Sequence, residues 1–346
     1  MNCSLTVVWT VVAVLAFLLI SSGAHAQGLF DSHETLQVTI EGPLTTLQKE
    51  RSDEDYLDGQ FSYTDEVGEV QSFDLKIRAR GRYRRQKKTC SFPPVRLNFR
   101  TGQVEGSLLD GQDKLKLVTH CKSRDSHQQY VLREYLAYRI LQTLTEKSFS
   151  ARLLKITYVD SESDKDPINK YGFVIEDADD IGKRISLKEM DVKALSYNDL
   201  DAGFTNLINI YQYLIGNTDF SLIRGPDDDN CCHNSVPFSA GGEITSIPYD
   251  LDFSGLVNAP YAEPHPRFKL RSVLVRKYRG QCSNNERLPE TLSFIQSKRA
   301  EIYGLVDDLA DLDKRSRKQV IGYLDSFFKD VSDEKTVQKK LIKGCS

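Results

Sequence analysis

The segment GNTDFSLIRGPDDDNCCHNSVPFSAGGEITSIPYDLDFSG, residues 216–255, sets acids and an amide at the ends of apolar elements. Asp219 follows an apolar helical run, Asn234 opens the strand-like NSVPFS, and Asp250 and Asp252 follow ITSIP on one side of an extended chain. Any one of them alone reads as an element cap. In this order they are the groups that phosphoryl transfer requires. An aspartate orients a hydroxyl and takes its proton, while an amide and carboxylates hold a divalent cation on the phosphates. Asp219 is the candidate catalytic base, and Asn234, Asp250 and Asp252 are candidate metal ligands.

The phosphates also need a cation from the protein. Lys116 in KLKLV and Glu134 on the next helical segment suit that purpose. Glu134 is in line with Val131, Tyr138 and Leu141, and a carboxylate in an apolar stripe needs a cationic partner. A Lys116–Glu134 pair is therefore expected. The tract KIRARGRYRRQKK is dense in basic residues and has no glycine-rich loop. Lys76, Arg78 and Arg80 share one strand face, while Arg82 and Arg85 could contact phosphate in place of backbone amides. Asp227, Asp228 and Asp229, after Gly225-Pro226, read as a solvated turn.

These side chains must be carried by elements legible in the periodicity. Strand patterns run through LQVTIEG, SFDLKIRARG, PPVRLNFR, KLKLVTH, ARLLKITYVD and KYGFVIED. One helix, QQYVLREYLAYRILQTLT, interrupts the series. A second, YNDLDAGFTNLINIYQYLIGN, has apolar residues at helical spacing and stops at Gly216 and Asn217. Two more helical tracts, residues 286–308 and 313–331, complete a sheet-rich part followed by a mainly helical part.

At the N-terminus, residues 5–20 form an uncharged apolar run, followed by Ala24-His25-Ala26. This predicts a signal peptide over residues 1–26 and export to the periplasm or the exterior, with no stable membrane insertion after cleavage. The net charge of −3 gives no reason to expect nucleic acid as a partner. The six cysteines beyond Ala26 read as disulfides, with Cys90–Cys121 preferred and Cys282 joined to Cys231 or Cys232. There is no G-x-S-x-G, H-E-x-x-H or P-loop motif, and the histidines lack metal-site spacing.

Several of these stretches resemble the CotH-type atypical protein kinases. The similar segments are IRARGRYRRQKKTCSFPPVRLNF, DKLKLVTHCKSRDSHQQYVLREYLAYRIL, KYGFVIED and, most specifically, IPYDLDFSG, so the likeness spans roughly residues 75 to 258. It implies an α+β, two-lobed protein-kinase-like fold, with a sheet-rich N-lobe (residues 27–178, one embedded helix) and a mainly helical C-lobe (residues 179–346). It further implies ATP with magnesium or manganese (Mg2+ or Mn2+) and a hydroxyl-bearing acceptor, most simply protein Ser or Thr. By the same likeness Asp219 matches the catalytic aspartate, Asn234 the metal-binding asparagine and Asp250 the aspartate bridging metal to phosphate. Residues 220–233 intervene between Asp219 and Asn234, a longer separation than in protein kinases. That insertion and the missing glycine-rich loop motivate one alternative, a kinase-like binding module without turnover; a second alternative keeps the enzyme but transfers AMP.

Overall fold

The computed structural model describes residues 28–226 and 229–346. The expected signal peptide, and Asp227 and Asp228 of the acidic turn, lie outside the described residues.

Strands β1 (Leu36–Gly42), β2 (Leu57–Thr64), β3 (Val70–Ala79), β4 (Val95–Phe99), β5 (Lys114–Val118), β6 (Ala151–Asp160) and β7 (Ile168–Ile175) close into a barrel in the order β1-β2-β3-β4-β5-β7-β6. All neighbours are antiparallel except β1 and β6, which pair in parallel from Leu36↔Leu154 to Gly42↔Asp160. Helices α1 (Leu44–Glu50), α2 (Thr101–Val104) and α3 (Ser126–Leu144) fall within the barrel's sequence. After it come α4 (Ala178–Arg184), strand β8 (Lys188–Glu189), α5 (Ala202–Ile215) and the hairpin β9 (Ser235–Ser239) and β10 (Thr245–Pro248). Helices α6 (Leu288–Ser297), α7 (Arg299–Asp308), α8 (Lys314–Ser332) and α9 (Glu334–Val337) complete the chain. None of the described helices is long and apolar enough to cross a membrane.

Strand alternation explains how two cores share one sheet. Leu154 of β6 and Val174 of β7 point into the barrel with Ile40, Phe61, Leu75, Leu97 and Leu117. Their neighbours Leu153 and Phe173 point outward, into a second core with α3, α5 and α8. Helix α3 is therefore central: every residue from Val131 to Tyr138 is buried.

This arrangement overturns the expected two-lobed protein-kinase-like fold. The sheet-rich part is a closed seven-stranded mixed barrel rather than an open N-lobe sheet. Its outer face and α3 also share one continuous apolar cluster with α5, α6, α7 and α8, across the expected lobe boundary near residue 178. The closing element is β2, LDGQFSYT, whose Gly59 and polar residues hide its alternation.

Disulfides join Cys90 to Cys121, Cys231 to Cys232 and Cys282 to Cys345. The first is the expected one. The expected link from Cys282 to the adjacent pair is not formed, because the C-terminus runs beside Gly280 and Cys282, with Ser346 N donating to Gly280 O. Three disulfides suit a chain that folds in an oxidising compartment.

Candidate active site

Asp219 is positioned by the end of α5. Gly216 takes the left-handed conformation (φ 68°), and its N–H and that of Asn217 return to the last turn. The Asn217 side chain then accepts from Asp219 N at 2.8 Å. Arg279 holds both flanks, donating to Thr218 O at 3.0 Å and to Phe220 O. The carboxylate receives His233 Nε2 at 2.9 Å on Oδ1 and Asn234 Nδ2 at 3.1 Å on Oδ2. Asn234 Nδ2 also reaches Asp219 O at 2.7 Å. The long intervening segment thus folds back, with Ser221 bridging to His233, and Asp219 and Asn234 meet. The hydrogen bond to Asp219 raises the His233 pKa against the opposing effect of burial, and Asp250 adds to the rise.

The β9–β10 hairpin brings Asp250 to the same place. Its register pairs Ser235 with Pro248, so Asn234 and Tyr249 flank its open end, and Tyr249 N donates to Asn234 O at 3.0 Å. Asn234 and Asp250 both have left-handed backbones (φ 51° and 57°). Asn and Asp tolerate this conformation best among residues other than glycine, and such positions concentrate at functional sites. From α3, Tyr138 Oη accepts the Asp250 N–H at 2.8 Å.

One helical turn before Tyr138, Glu134 comes together with Asp250 and Asp252: one carboxylate oxygen from each lies within 4.8 Å of the others. Glu134 and Asp252 are 2% and 3% exposed. Burial raises both carboxyl pKa values, and the Arg84 guanidinium opposes the rise. Arg84 Nη1 stands 3.1 Å from Glu134 Oε2 and 3.4 Å from Asp252 Oδ2, and Tyr261 Oη donates to Asp252 Oδ2 at 2.9 Å. Glu134 Oε1 is buried with no hydrogen-bond partner. Three clustered carboxylates against one guanidinium, with an orphaned oxygen among them, suit a hard divalent cation.

The expected Lys116–Glu134 pair is replaced by Arg84–Glu134. Lys116 lies on the outer barrel face, its Nζ 5.1 Å from the Tyr249 ring centroid and 5.9 Å from that of Phe149. It therefore borders Asp250 through Tyr249 and not through α3. Burial, helped by Arg80 and resisted by Asp177, brings its pKa down to about 8. Arg82 pairs with Asp229 at 2.6 Å, and Arg85 is taken up by Asp53 at 2.7 Å and by the carbonyls of Gly81 and Arg51. Arg84, between those two candidates, is the residue that sequence reasoning missed. Three arginines stand in RYRR, and only the fold shows which one turns inward. His233 was also missed, for lack of metal spacing, although its position one residue before Asn234 puts it at the same hairpin end.

One cavity opens at the site, and a second lies toward the far end of the hairpin. The first, of about 600 Å3, is lined by Asp219, His233, Phe220, Phe268, Arg224 and Arg279. The second, of about 900 Å3, is lined by Ala178, Gly182, Glu189 and Ser239, with Glu189 also acting on the ionisation of Lys116. No protein-family model matches the chain, and no curated protein matches it.

Proposed function

We propose that the protein is an exported, divalent-metal-dependent phosphotransferase that moves the γ-phosphate of ATP to a hydroxyl acceptor, the activity that the likeness to CotH-type enzymes implies. The observation that carries this reading is that one hairpin end links two groups. Asp219, held by His233 and Asn234, opens on a cavity, and the Glu134–Asp250–Asp252 carboxylates adjoin it through the Asn234–Tyr249 hydrogen bond. The reading rests on this site and not on a kinase fold.

Asp250, Asp252 and Glu134 would hold Mg2+ or Mn2+, with Asn234 the further ligand that the likeness implies. Bound there, the ion supplies charge neutralisation for the transferring phosphoryl group. Asp219, with each oxygen fixed by one donor, aligns a hydroxyl entering the smaller cavity and takes its proton. Lys116, with its Nζ against the Tyr249 ring, steadies phosphate oxygens, and the nucleoside enters the larger cavity beside Glu189. Arg84 holds Glu134 and Asp252 in place and opposes the rise that burial imposes on their carboxyl pKa values.

Transfer of label from γ-labelled ATP to the protein itself or to a generic acceptor, with Mn2+ or Mg2+ present, tests the reading. Asp219→Asn and Asp250→Asn are each expected to lower the rate by about 10²-fold or more, the size of a lost general base or charge-stabilising group. Transfer equal to wild type in either variant refutes the reading. Nucleotide binding without any transfer would favour the binding module, for which Arg84 lying on two of the three carboxylates is the structural argument.

A further inference from the structure

The cavity beside Asp219 has a wall chemistry of its own. Three arginines line it, Arg224, Arg267 and Arg279, from three separate segments, and among the described residues none of them forms an ion pair. Asp219 is the one acidic side chain among its described lining residues, and its carboxylate already has two donors. Arg267 and Arg279 share the Phe268 ring, at 5.4 Å and 5.0 Å from its centroid, and Arg279 also lies over Phe220 at 4.3 Å. Both guanidiniums are thus held against one ring of the cavity wall. Burial pushes the Arg279 pKa down to about 10, with Tyr197 and Asp219 resisting the fall and Arg267 adding to it; burial likewise lowers the His265 pKa, with Asp219 resisting and Arg279 and Arg267 adding to the fall. Three arginines against one acidic side chain leave the described wall with an excess of positive charge, which a ligand anion would complement.

We propose that this cavity is the acceptor subsite and that it selects an acidic peptide, with carboxylates beside the reacting hydroxyl seated on Arg224, Arg267 and Arg279. The proposal rests on the reading of Asp219 as the base, because that reading brings a hydroxyl to this wall. Its volume, about 600 Å3, is that of a pocket for a short segment rather than for a folded surface. Aromatic walls at Phe220 and Phe268 suit the side chains and backbone of a peptide, and guanidiniums bind carboxylates in pairs of hydrogen bonds.

Fluorescence polarisation with the full chain, without nucleotide or metal, tests it separately from catalysis. The probes are three labelled peptides with a central serine flanked on each side by two glutamates, two glutamines or two lysines. The glutamate peptide is expected to bind at least about tenfold more tightly than the glutamine peptide, with the lysine peptide weakest and the preference shrinking at high salt. Arg224→Gln and Arg267→Gln are exposed substitutions, and each should weaken the glutamate peptide roughly tenfold, the loss of one charge-assisted contact. Arg279 is left intact because it holds the backbone around Asp219. Equal binding of the glutamate and glutamine peptides, no binding of any peptide, or unchanged affinity in both variants overturns the proposal. Tight glutamate-peptide binding together with no phosphate transfer would leave the subsite standing and refute the phosphotransferase reading instead. A fourth probe with phosphoserine flanks separates carboxylate from phosphate recognition: preference for it by more than about tenfold over glutamate would overturn the assignment to carboxylates.

Discussion

Arg84 has the largest structural duty of any side chain at the site. It pairs with two carboxyl groups that are nearly inaccessible to water. Removing one partner of such a set leaves uncompensated buried charge, so Arg84→Ala should cost roughly 3–5 kcal/mol in urea unfolding, and Arg84→Lys should recover only part of it. Added Mn2+ should stabilise Arg84→Ala more than wild type, since the freed carboxylates then have only the metal to pair with. Lys116 yields a pH prediction. Its folded pKa, about 8, lies below the ordinary lysine value of 10.5, so between those pH values the unfolded chain binds more protons than the folded one. Stability contributed at this position therefore rises as pH climbs from 8 to 10.5 and is flat below 8. Thermal unfolding across that window should show a rise that Lys116→Met removes. Three acids and an amide were legible in the sequence because Asp219, Asn234, Asp250 and Asp252 all stand at element ends. Their cationic partner was not, because nothing local distinguishes Arg84 from Arg82 and Arg85.

Among the elements, the loop between β3 and β4 decides whether Arg84 reaches its acids. Arg51 pins that loop through the carbonyls of Arg85, Cys90 and Ser91, and the Cys90–Cys121 bridge ties its far end to the segment between β5 and α3. The joint replacement Cys90→Ser/Cys121→Ser should cost about 3.7 kcal/mol by chemical denaturation, as expected for a bridge closing a loop of this length. It should also lower transfer activity at temperatures where the protein remains folded. The helix α5, its glycine stop and the strands of the β9–β10 hairpin followed from periodicity and turn residues. The hairpin register, which sets Asn234 beside Tyr249 and Asp250, did not, because pairing depends on contacts remote in sequence. Gly216 is constrained twice, by its positive φ and by Tyr323, whose hydroxyl lies where a Cβ would be. Gly216→Ala should therefore lower the melting temperature and displace Asp219, reducing transfer further than the stability loss alone explains.

For the whole molecule, the alternation of sheet-rich and helical sequence was legible, but the closure of the barrel was not. Closure depends on the parallel pairing of β1 with β6, more than a hundred residues apart, and on β2, whose polar composition conceals it. The same closure buries α3 between the barrel and the C-terminal helices. This makes Glu134 and Tyr138 part of a rigid support for the carboxylate cluster. The central claim is that this cluster and Asp219 act together to move a terminal phosphate. Its most direct measurement is parallel incubation with ATP labelled in the γ- or the α-phosphate, with Mn2+, for the wild type, Asp219→Asn and Asp250→Asn. The account predicts label incorporated from the γ position only, and loss of it in both variants. Incorporation from the α position, or γ-label transfer undiminished in either variant, would contradict it.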